Sequence, residues 1–408
     1  MRKIYGIANR SLTIKIEIMN KRKELLFGMI VIVFFGVIIF GVAEMYFHFF
    51  NPQLPAFLRP DPIVGTMHFS NYTVRQNNSC MRATTIFNKE GMNDANHTIE
   101  KPDGIYRIAV IGDSYVEAMQ FPLQQSFFKQ MEKRLQSEGH NVEVLSFGVG
   151  GFGTLQEYYL LRDYALKYNP DLVILSIFTY NDIRNNSFDL EGSLDMPYAV
   201  LNEDGSLEFP EFKLRKEYIQ AFNSPLRTLV FEHSHLIRFV YRLSNQSVTF
   251  RNFLAFFHLH TPAVQSGDVK RDLSDELYFV DTPKKWGESW KVTDLLVEKI
   301  RDETAANDAS FLMFSLSNDV QLSNDAFSLV ENKYPGVLLD SDLPEKRLSL
   351  IADRLGVSYV SALTWMRELS SAGVVVHPAC HGHWSPEASS AAGNRLADYI
   401  TEKFLIKR

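Results

Sequence analysis

The sequence predicts an α/β protein: a three-layer α/β/α sandwich with a mostly parallel five-stranded sheet, an N-terminal transmembrane helix and a helical insertion. From residue 107 onward, short apolar runs alternate with segments of helical periodicity, as expected where right-handed crossovers join parallel strands. The run at 171–178, DLVILSIF, is almost wholly apolar, which is typical of a strand covered on both faces.

Each predicted element follows from a local pattern. The strands are expected at 107–111, 141–147, 171–178, 309–316 and 356–360. Phe127, Met131 and Leu135 recur at intervals of four and form one face of the first crossover helix. The other helices are expected at 155–169, ending before Pro170, and at 290–305, 344–355 and 385–405. Pro386 lies in the first turn of the last helix, where its missing N–H costs nothing.

The N-terminus has the pattern of a membrane anchor. Seven Lys or Arg residues precede Leu25, residues 25–43 carry no charge, and the next basic residue is Arg59. This length spans a bilayer, and the charge bias predicts a cytoplasmic tail at 1–24, an anchor at 25–43 and an extracytoplasmic remainder, in the periplasm or at the cell exterior. A cleaved signal peptide is the alternative, with 41–43 as its cleavage site, although the apolar run exceeds the usual core of about 7–15 residues.

The rest of the chain divides into three regions by pattern. Residues 44–100 predict a linker followed by a small pre-domain, and 101–406 predict the main α/β domain. Residues 184–285 lack strand–helix alternation, so they are interpreted as a helical insertion packed on the core. The alternatives are a lid or a surface lying against the membrane.

The net charge and the two cysteines bear on the class of protein and on its possible partners. The formal net charge is −6, and no basic stripe indicates a nucleic-acid partner. The two cysteines, Cys80 and Cys380, could pair outside the cytoplasm, and two unpaired buried thiols fit the sequence equally well. The oligomeric state is open.

Polar turns follow several predicted strands, where ligands gather in a parallel sheet. They are Gly112–Ser114, Ser146–Gly151, Thr179–Asp182 and His381–Trp384. Each of these segments alone has a composition that is common in turns. Together they supply a serine hydroxyl, a glycine N–H, an asparagine amide and a histidine, which is the set of groups that acyl transfer requires.

These four segments resemble the sequence blocks of the SGNH (GDSL-type) hydrolase superfamily, and the similarity covers roughly residues 85–405. VIGDSYVEAMQ resembles the first block, SFGVGGFGT the second, TYND the third and HGHWSPEA the last. The resemblance implies a flavodoxin-like SGNH fold in which Ser114 is the nucleophile and His383 the base. The oxyanion donors would be the N–H groups of Ser114 and Gly148 and the amide of Asn181. Asp113 would hold the turn.

The last block departs from the family at its acid. The Asp expected two or three residues before His383 is replaced by His381 and Cys380. Three interpretations stay open: a Ser–His dyad whose imidazole is held by a backbone carbonyl or polar group, a carboxylate from elsewhere, or an impaired site. A metal site using His377, Cys380, His381 and His383 is a weaker alternative, and no cofactor is expected.

The resemblance implies a membrane-anchored serine esterase acting on acyl-ester substrates, with acetyl groups of a surface glycan as the expected target. An O-acetyltransferase with the same site is one alternative, since the two reactions differ only in the acceptor of the acyl group. The other is a catalytically impaired binding or assembly protein of cell-surface polysaccharide production. Retention of Ser114, Gly148, Asn181 and His383 together favours an enzyme.

Overall fold

The computed structural model describes residues 2–77, 80–244, 246–261 and 271–406. The strands in these ranges are β1 Leu58–Asp61, β2 Gly65–His68, β3 Thr73–Asn77, β4 Arg82–Ile86, β5 Tyr106–Gly112, β6 Val142–Gly148, β7 Leu172–Phe178, β8 Val200–Leu201, β9 Leu207–Glu208, β10 Ser310–Leu316 and β11 Ser358–Ser361. The α-helices are α1 Arg2–Phe50, α2 Ser114–Glu117, α3 Phe127–Ser137, α4 Thr154–Leu160, α5 Asp182–Asn185, α6 Phe188–Glu191, α7 Lys216–Phe222, α8 Pro225–His233, α9 His235–Ser244, α10 Val248–Phe256, α11 Lys284–Ala306, α12 Asn324–Lys333, α13 Leu343–Leu355, α14 Leu363–Ser371 and α15 Pro386–Ile400.

The central sheet has the predicted five strands, all parallel, in the order β11-β10-β7-β5-β6. Every residue of β5 is buried, as the continuous apolar run at its centre requires. Gly112 at the end of β5 lies opposite Gly148 of β6 and Ser176 of β7. This register brings the carboxyl ends of the three adjacent strands β7, β5 and β6, and the turns that follow them, to one edge of the sheet.

Helices cover both faces of the sheet, which confirms the predicted sandwich. One buried cluster joins the sheet to α4, α11 and α13, and a second joins it to α3, α14 and α15. In the second layer α15 approaches α3 closely at Gly393, where a Cβ would lie 2.2 Å from the Phe127 carbonyl oxygen. Two helices, α12 and α14, had not been predicted.

The N-terminal helix α1 is longer than its apolar stretch. It continues into the predicted linker at 44–66 and ends at Phe50, and Pro52 follows just after, where a helix cannot readily continue. Lys21–Phe50 is long and apolar enough to cross a membrane. The β1–β2 hairpin begins within the predicted linker, and the β3–β4 hairpin lies in the region predicted as a small pre-domain.

The insertion is mainly helical, as predicted, and contains α7 to α10 with a short β8–β9 pair. It packs partly on the anchor: the rings of Phe47 and Phe239 are 4.4 Å apart. The Glu44 carboxylate accepts bonds from the backbone N–H groups of His235 and Leu236 at the start of α9. Residues 262–270 of the predicted insertion lie outside the described ranges.

Candidate active site

The nucleophile candidate lies at an abrupt strand-to-helix transition. β5 ends at Gly112, and α2 begins two residues later at Ser114. Asp113 caps this helix, because its carboxylate accepts the N–H of Tyr115 at 3.0 Å. Gly112 is required here, since a Cβ would lie 2.7 Å from Val116 Cγ2 and 3.0 Å from the Ser176 carbonyl oxygen. The result is a half-buried hydroxyl at the edge of the sheet.

Ser114 and His383 lie within hydrogen-bonding distance. Ser114 Oγ is 2.8 Å from His383 Nε2, although the two residues are 269 positions apart in the chain. On the other side of the ring, His383 Nδ1 is 2.7 Å from the His381 carbonyl oxygen. A carbonyl can only accept, so Nδ1 carries the proton in this arrangement. Nε2 is then the free acceptor that can take the serine proton.

No carboxylate of the described residues bonds to His383 Nδ1. The acid-position residue His381 contributes its backbone carbonyl, and its own Nδ1 accepts the His383 backbone N–H at 3.2 Å. Burial, together with the nearby His383, lowers the pKa of His381. Of the three interpretations of the missing acid, the geometry therefore matches the imidazole held by a backbone carbonyl.

Several cross-links fix the loop that carries His383. Ser385 N–H donates to the Val376 carbonyl at 2.7 Å, and the buried Trp384 indole N–H donates to Ser317 Oγ at 3.3 Å. His377 Nε2 lies 3.0 Å from the Ser317 carbonyl oxygen, and burial lowers the pKa of His377 to about 4. His377 is therefore a neutral donor that ties the loop to the end of β10.

A disulfide adds a covalent link to the same loop. Cys80 and Cys380 are bonded across 300 residues of sequence, with a Cα–Cα distance of 5.9 Å. This resolves the alternative left open by the sequence in favour of pairing. It also argues against the metal alternative. The sulfur atoms of Cys80 and Cys380, which lie near His381, are bonded to each other and are not thiolate ligands.

Asp113 connects the serine to the asparagine turn. Asn181 Nδ2 donates to Asp113 Oδ2 at 3.0 Å, and Ser114 Oγ lies 3.4 Å from the same oxygen. Asp113 is fully buried, and burial raises its pKa despite these bonds and the nearby His383. Asp113 therefore orients the amide of Asn181 beside the serine, in addition to capping α2.

The turn that contains Gly148 and Gly150 contacts α2. A Cβ on Gly148 would lie 2.3 Å from Glu117 N, so this glycine lets α2 cross the end of β6. The Gly150 N–H donates to Glu117 Oε1 at 3.1 Å. An oxyanion role for the Gly148 N–H stays a prediction.

The contacts that hold Glu117 beside this turn were not predicted from the sequence. Glu117 Oε1 is 2.7 Å from His68 Nε2, and His68 Nδ1 is 2.7 Å from the Gly91 carbonyl oxygen. The His68 ring also stacks on Phe87 at 4.0 Å. The hairpin that contains His68 thus holds α2, the helix that begins at Ser114. No local pattern marks this pairing, because His68 comes from a separate hairpin 49 residues away.

Two further buried carboxyl groups lie behind the serine. Burial raises the pKa values of Glu157 and Asp182 well above the usual range, and the neighbouring Asp113 adds to both shifts. Asp182 Oδ2 also accepts the Phe178 N–H at 2.7 Å. The interior behind the site therefore favours protonated carboxyl groups and limits negative charge near the serine.

Comparison with known proteins found similarity only among solved structures. No family model matches the chain, and no curated protein matches it. TesA is 11% identical, with 72% of this chain and 98% of that chain covered and a TM-score of 0.37. The acetyl xylan esterase AlAXEase is 12% identical, with 73% and 99% covered and a TM-score of 0.36. A GDSL-like lipase from Bacteroides thetaiotaomicron VPI-5482 is 9% identical, with 73% and 88% covered and a TM-score of 0.32.

The strand order and the two helical layers give this chain a three-layer α/β/α fold around a parallel five-stranded sheet, as the sequence predicted.

Proposed function

We propose that this chain is an SGNH-type serine esterase, anchored in a membrane with its catalytic domain outside the cytoplasm. The observation that carries the proposal is the short Ser114 Oγ–His383 Nε2 contact, with Nδ1 held by the His381 carbonyl. This is the geometry that a nucleophile and its general base require. The disulfide supports an oxidising compartment.

The proposed reaction has two steps. His383 Nε2 takes the Ser114 proton as Oγ forms a bond to the acyl carbon, and the ester's alcohol leaves after receiving that proton from the imidazolium. Water then gives a proton to Nε2 and attacks the acyl carbon. The Oγ–acyl bond breaks as the imidazolium returns this proton to Oγ, which releases the carboxylic acid and restores Ser114. The Ser114 and Gly148 N–H groups and the Asn181 amide would stabilise the oxyanion, and the N-terminus of α2 favours the same negative charge.

We further propose an acetyl ester of a surface carbohydrate as the substrate, following the resemblance of the motif blocks. Transfer of the acetyl group to a sugar hydroxyl uses the same acyl-enzyme and differs only in the acceptor. Acetate release and acetylation of the acceptor are therefore both measured, in the presence and in the absence of a sugar acceptor.

The test is acetate release from 4-nitrophenyl acetate and from an acetylated oligosaccharide by the full chain in neutral detergent. We expect Ser114→Ala and His383→Ala each to lower kcat at least about 10³-fold. Ser137→Ala is the matched control, because its hydroxyl bonds only within α3. Folded wild-type protein without turnover or acetyl transfer would reject the enzyme and favour the binding protein.

A further inference from the structure

A cavity of about 520 Å³ opens beside the end of the anchor helix, away from the serine. One wall is the chain segment at 51–56 that directly follows α1, and the other comes from α8 and α9 of the insertion. Among the described residues that line it are three arginines and two aromatic residues, and none of those described is Asp or Glu: Arg227, Arg238, Arg242, Phe231 and Tyr241. A site with this lining suits an anion attached to an apolar body.

The arginines are arranged on two facing helices. Arg238, Tyr241 and Arg242 are three and four residues apart on α9 and so share one face of that helix. Arg238 donates to the carbonyl oxygens of Phe231 and Gln53, which fixes it in the cavity wall.

Arg227 comes from α8, and its guanidinium lies 5.4 Å from the Phe222 ring and 5.2 Å from the Phe231 ring. Within the described ranges, no carboxylate forms an ion pair with Arg227 or Arg242. Two guanidinium groups therefore line an apolar cavity without a negative partner. Guanidinium groups recognise phosphate well, since their planar donors match its oxygens.

The attachment of α9 to α1 determines how far the cavity lies from the uncharged stretch of α1. The Glu44 carboxylate holds the start of α9, and Phe47 packs on Phe239, so α9 is attached to the last turns of α1. The uncharged stretch ends at Ala43, seven residues before Phe50, which is about 10 Å along a helix. A headgroup layer is roughly 5–8 Å thick on each side of the hydrocarbon core. The cavity thus opens near the level of lipid headgroups.

Helix α10, which follows α9 in the chain, and the residue after it expose apolar side chains. Phe253 is 57% exposed, Phe256 80% and Phe257, which caps the helix, 50%. Exposed phenylalanines on a short amphipathic helix are typical of segments that lie in a membrane interface. They favour the interpretation of this part of the insertion as a membrane-facing surface.

We propose that this cavity binds the phosphate group of an anionic phospholipid, with Arg227 and Arg242 on the phosphate and the acyl chains directed along α1 into the bilayer. The apolar lining, the arginines without acidic partners and the height above the bilayer select a lipid over a soluble anion. The proposal depends on membrane anchoring and is independent of the ester chemistry at Ser114.

The test uses the full chain in neutral detergent and a phosphatidylglycerol labelled on one acyl tail, with binding measured by fluorescence anisotropy. We expect saturable binding that Arg227→Gln/Arg242→Gln weakens roughly 10- to 30-fold, because each arginine adds to the electrostatic attraction for an anionic lipid. Arg238 is kept, since its bonds are structural. Arg134→Gln/Arg395→Gln, on the far helical layer, is the matched control and should bind as the wild type does.

A single-site variant and a competition experiment distinguish the possible outcomes. Arg242→Gln alone changes one exposed side chain of α9 and should weaken binding roughly fivefold in a protein with unchanged melting temperature. Inorganic phosphate at millimolar concentration should not displace the lipid. Unchanged affinity in both arginine variants, equal affinity for tail-labelled phosphatidylcholine, or displacement by inorganic phosphate would each overturn the proposal.

Discussion

The two sides of the candidate site are held in place by different means. On the serine side, Asp113 and Ser114 follow a fully buried strand whose register with its neighbours is set by backbone hydrogen bonds. On the histidine side, His383 lies in a loop without regular structure, and Cys380 and Gly382 in that loop are exposed. The serine position is determined by the sheet, and the histidine position by separate cross-links.

The cross-links on the histidine side bear on the proposed base. The disulfide fixes Cys380, three residues before His383, and the His381 carbonyl accepts from His383 Nδ1. A neutral carbonyl orients an imidazole as a carboxylate would, but it stabilises the imidazolium less. The disulfide acts together with the hydrogen bonds of this loop to Val376 and Ser317.

The largest effect we expect, apart from loss of Ser114 or His383 themselves, is on the serine side. Asn181→Ala removes a proposed oxyanion donor that Asp113 holds at 3.0 Å, so kcat should fall about 10²- to 10³-fold with a smaller change in KM. Asn307→Ala, an exposed asparagine at the end of α11, is the control. Steady-state kinetics check both, and an Asn181 variant within threefold of wild type would remove this residue from the oxyanion hole.

A smaller effect is expected from breaking the covalent anchor on the histidine side. Cys80→Ser/Cys380→Ser should lower kcat roughly 10- to 100-fold, because the His381 carbonyl is no longer fixed beside Nδ1. The free energy of unfolding should also fall by roughly 2–5 kcal/mol, since the bond closes a long loop. Both are measured well below the melting temperatures, so that loss of fold does not imitate loss of rate.

A rescue variant separates positioning from simple stability. Cys80→Ser/Cys380→Asp also lacks the disulfide but restores a carboxylate at the motif's acid position. It should recover activity relative to the double serine variant while remaining equally destabilised. Equal kcat in wild type and the double serine variant would show that the disulfide stabilises the fold without orienting His383.

The smallest effect concerns the pH dependence. The pKa of His381 is lowered by burial and by the nearby His383, which favours its neutral form. In His381→Asp a carboxylate takes its place and favours the protonated, inactive imidazole, so the acid limb of the kcat profile should move to higher pH. On the plateau above that limb the rate should rise, because the imidazolium of the transition state is better stabilised. An unmoved limb with lower turnover would show that position 381 does not face the imidazole.

The serine side could be predicted from the sequence, and the histidine side only in part. Gly112, Asp113 and Ser114 follow an apolar run, and this local pattern fixes strand, turn and helix together. The acceptor of Nδ1 is a backbone oxygen, which has no side-chain signature. The disulfide joins residues 300 positions apart, and the His68–Glu117 pair joins a hairpin to α2. Such contacts depend on the tertiary fold and leave no trace in local periodicity.

The end of α1 shows the same limit on a larger scale. Hydropathy marked the uncharged stretch at 25–43, but the helix continues to Phe50, and Glu44 and Phe47 in its last turns contact α9. These tertiary contacts lie outside the apolar pattern and could not be predicted from it.

The most direct test of the central claim is labelling of the full chain with a fluorescent serine-reactive phosphonate, followed by peptide mapping. We expect one label per chain, on Ser114, at a rate that falls strongly in His383→Ala and to zero in Ser114→Ala. The phosphonate needs only an activated serine and an oxyanion site, so the result does not depend on knowing the natural ester. A folded wild-type chain that stays unlabelled, or a label on another residue, would contradict a Ser114–His383 catalytic pair.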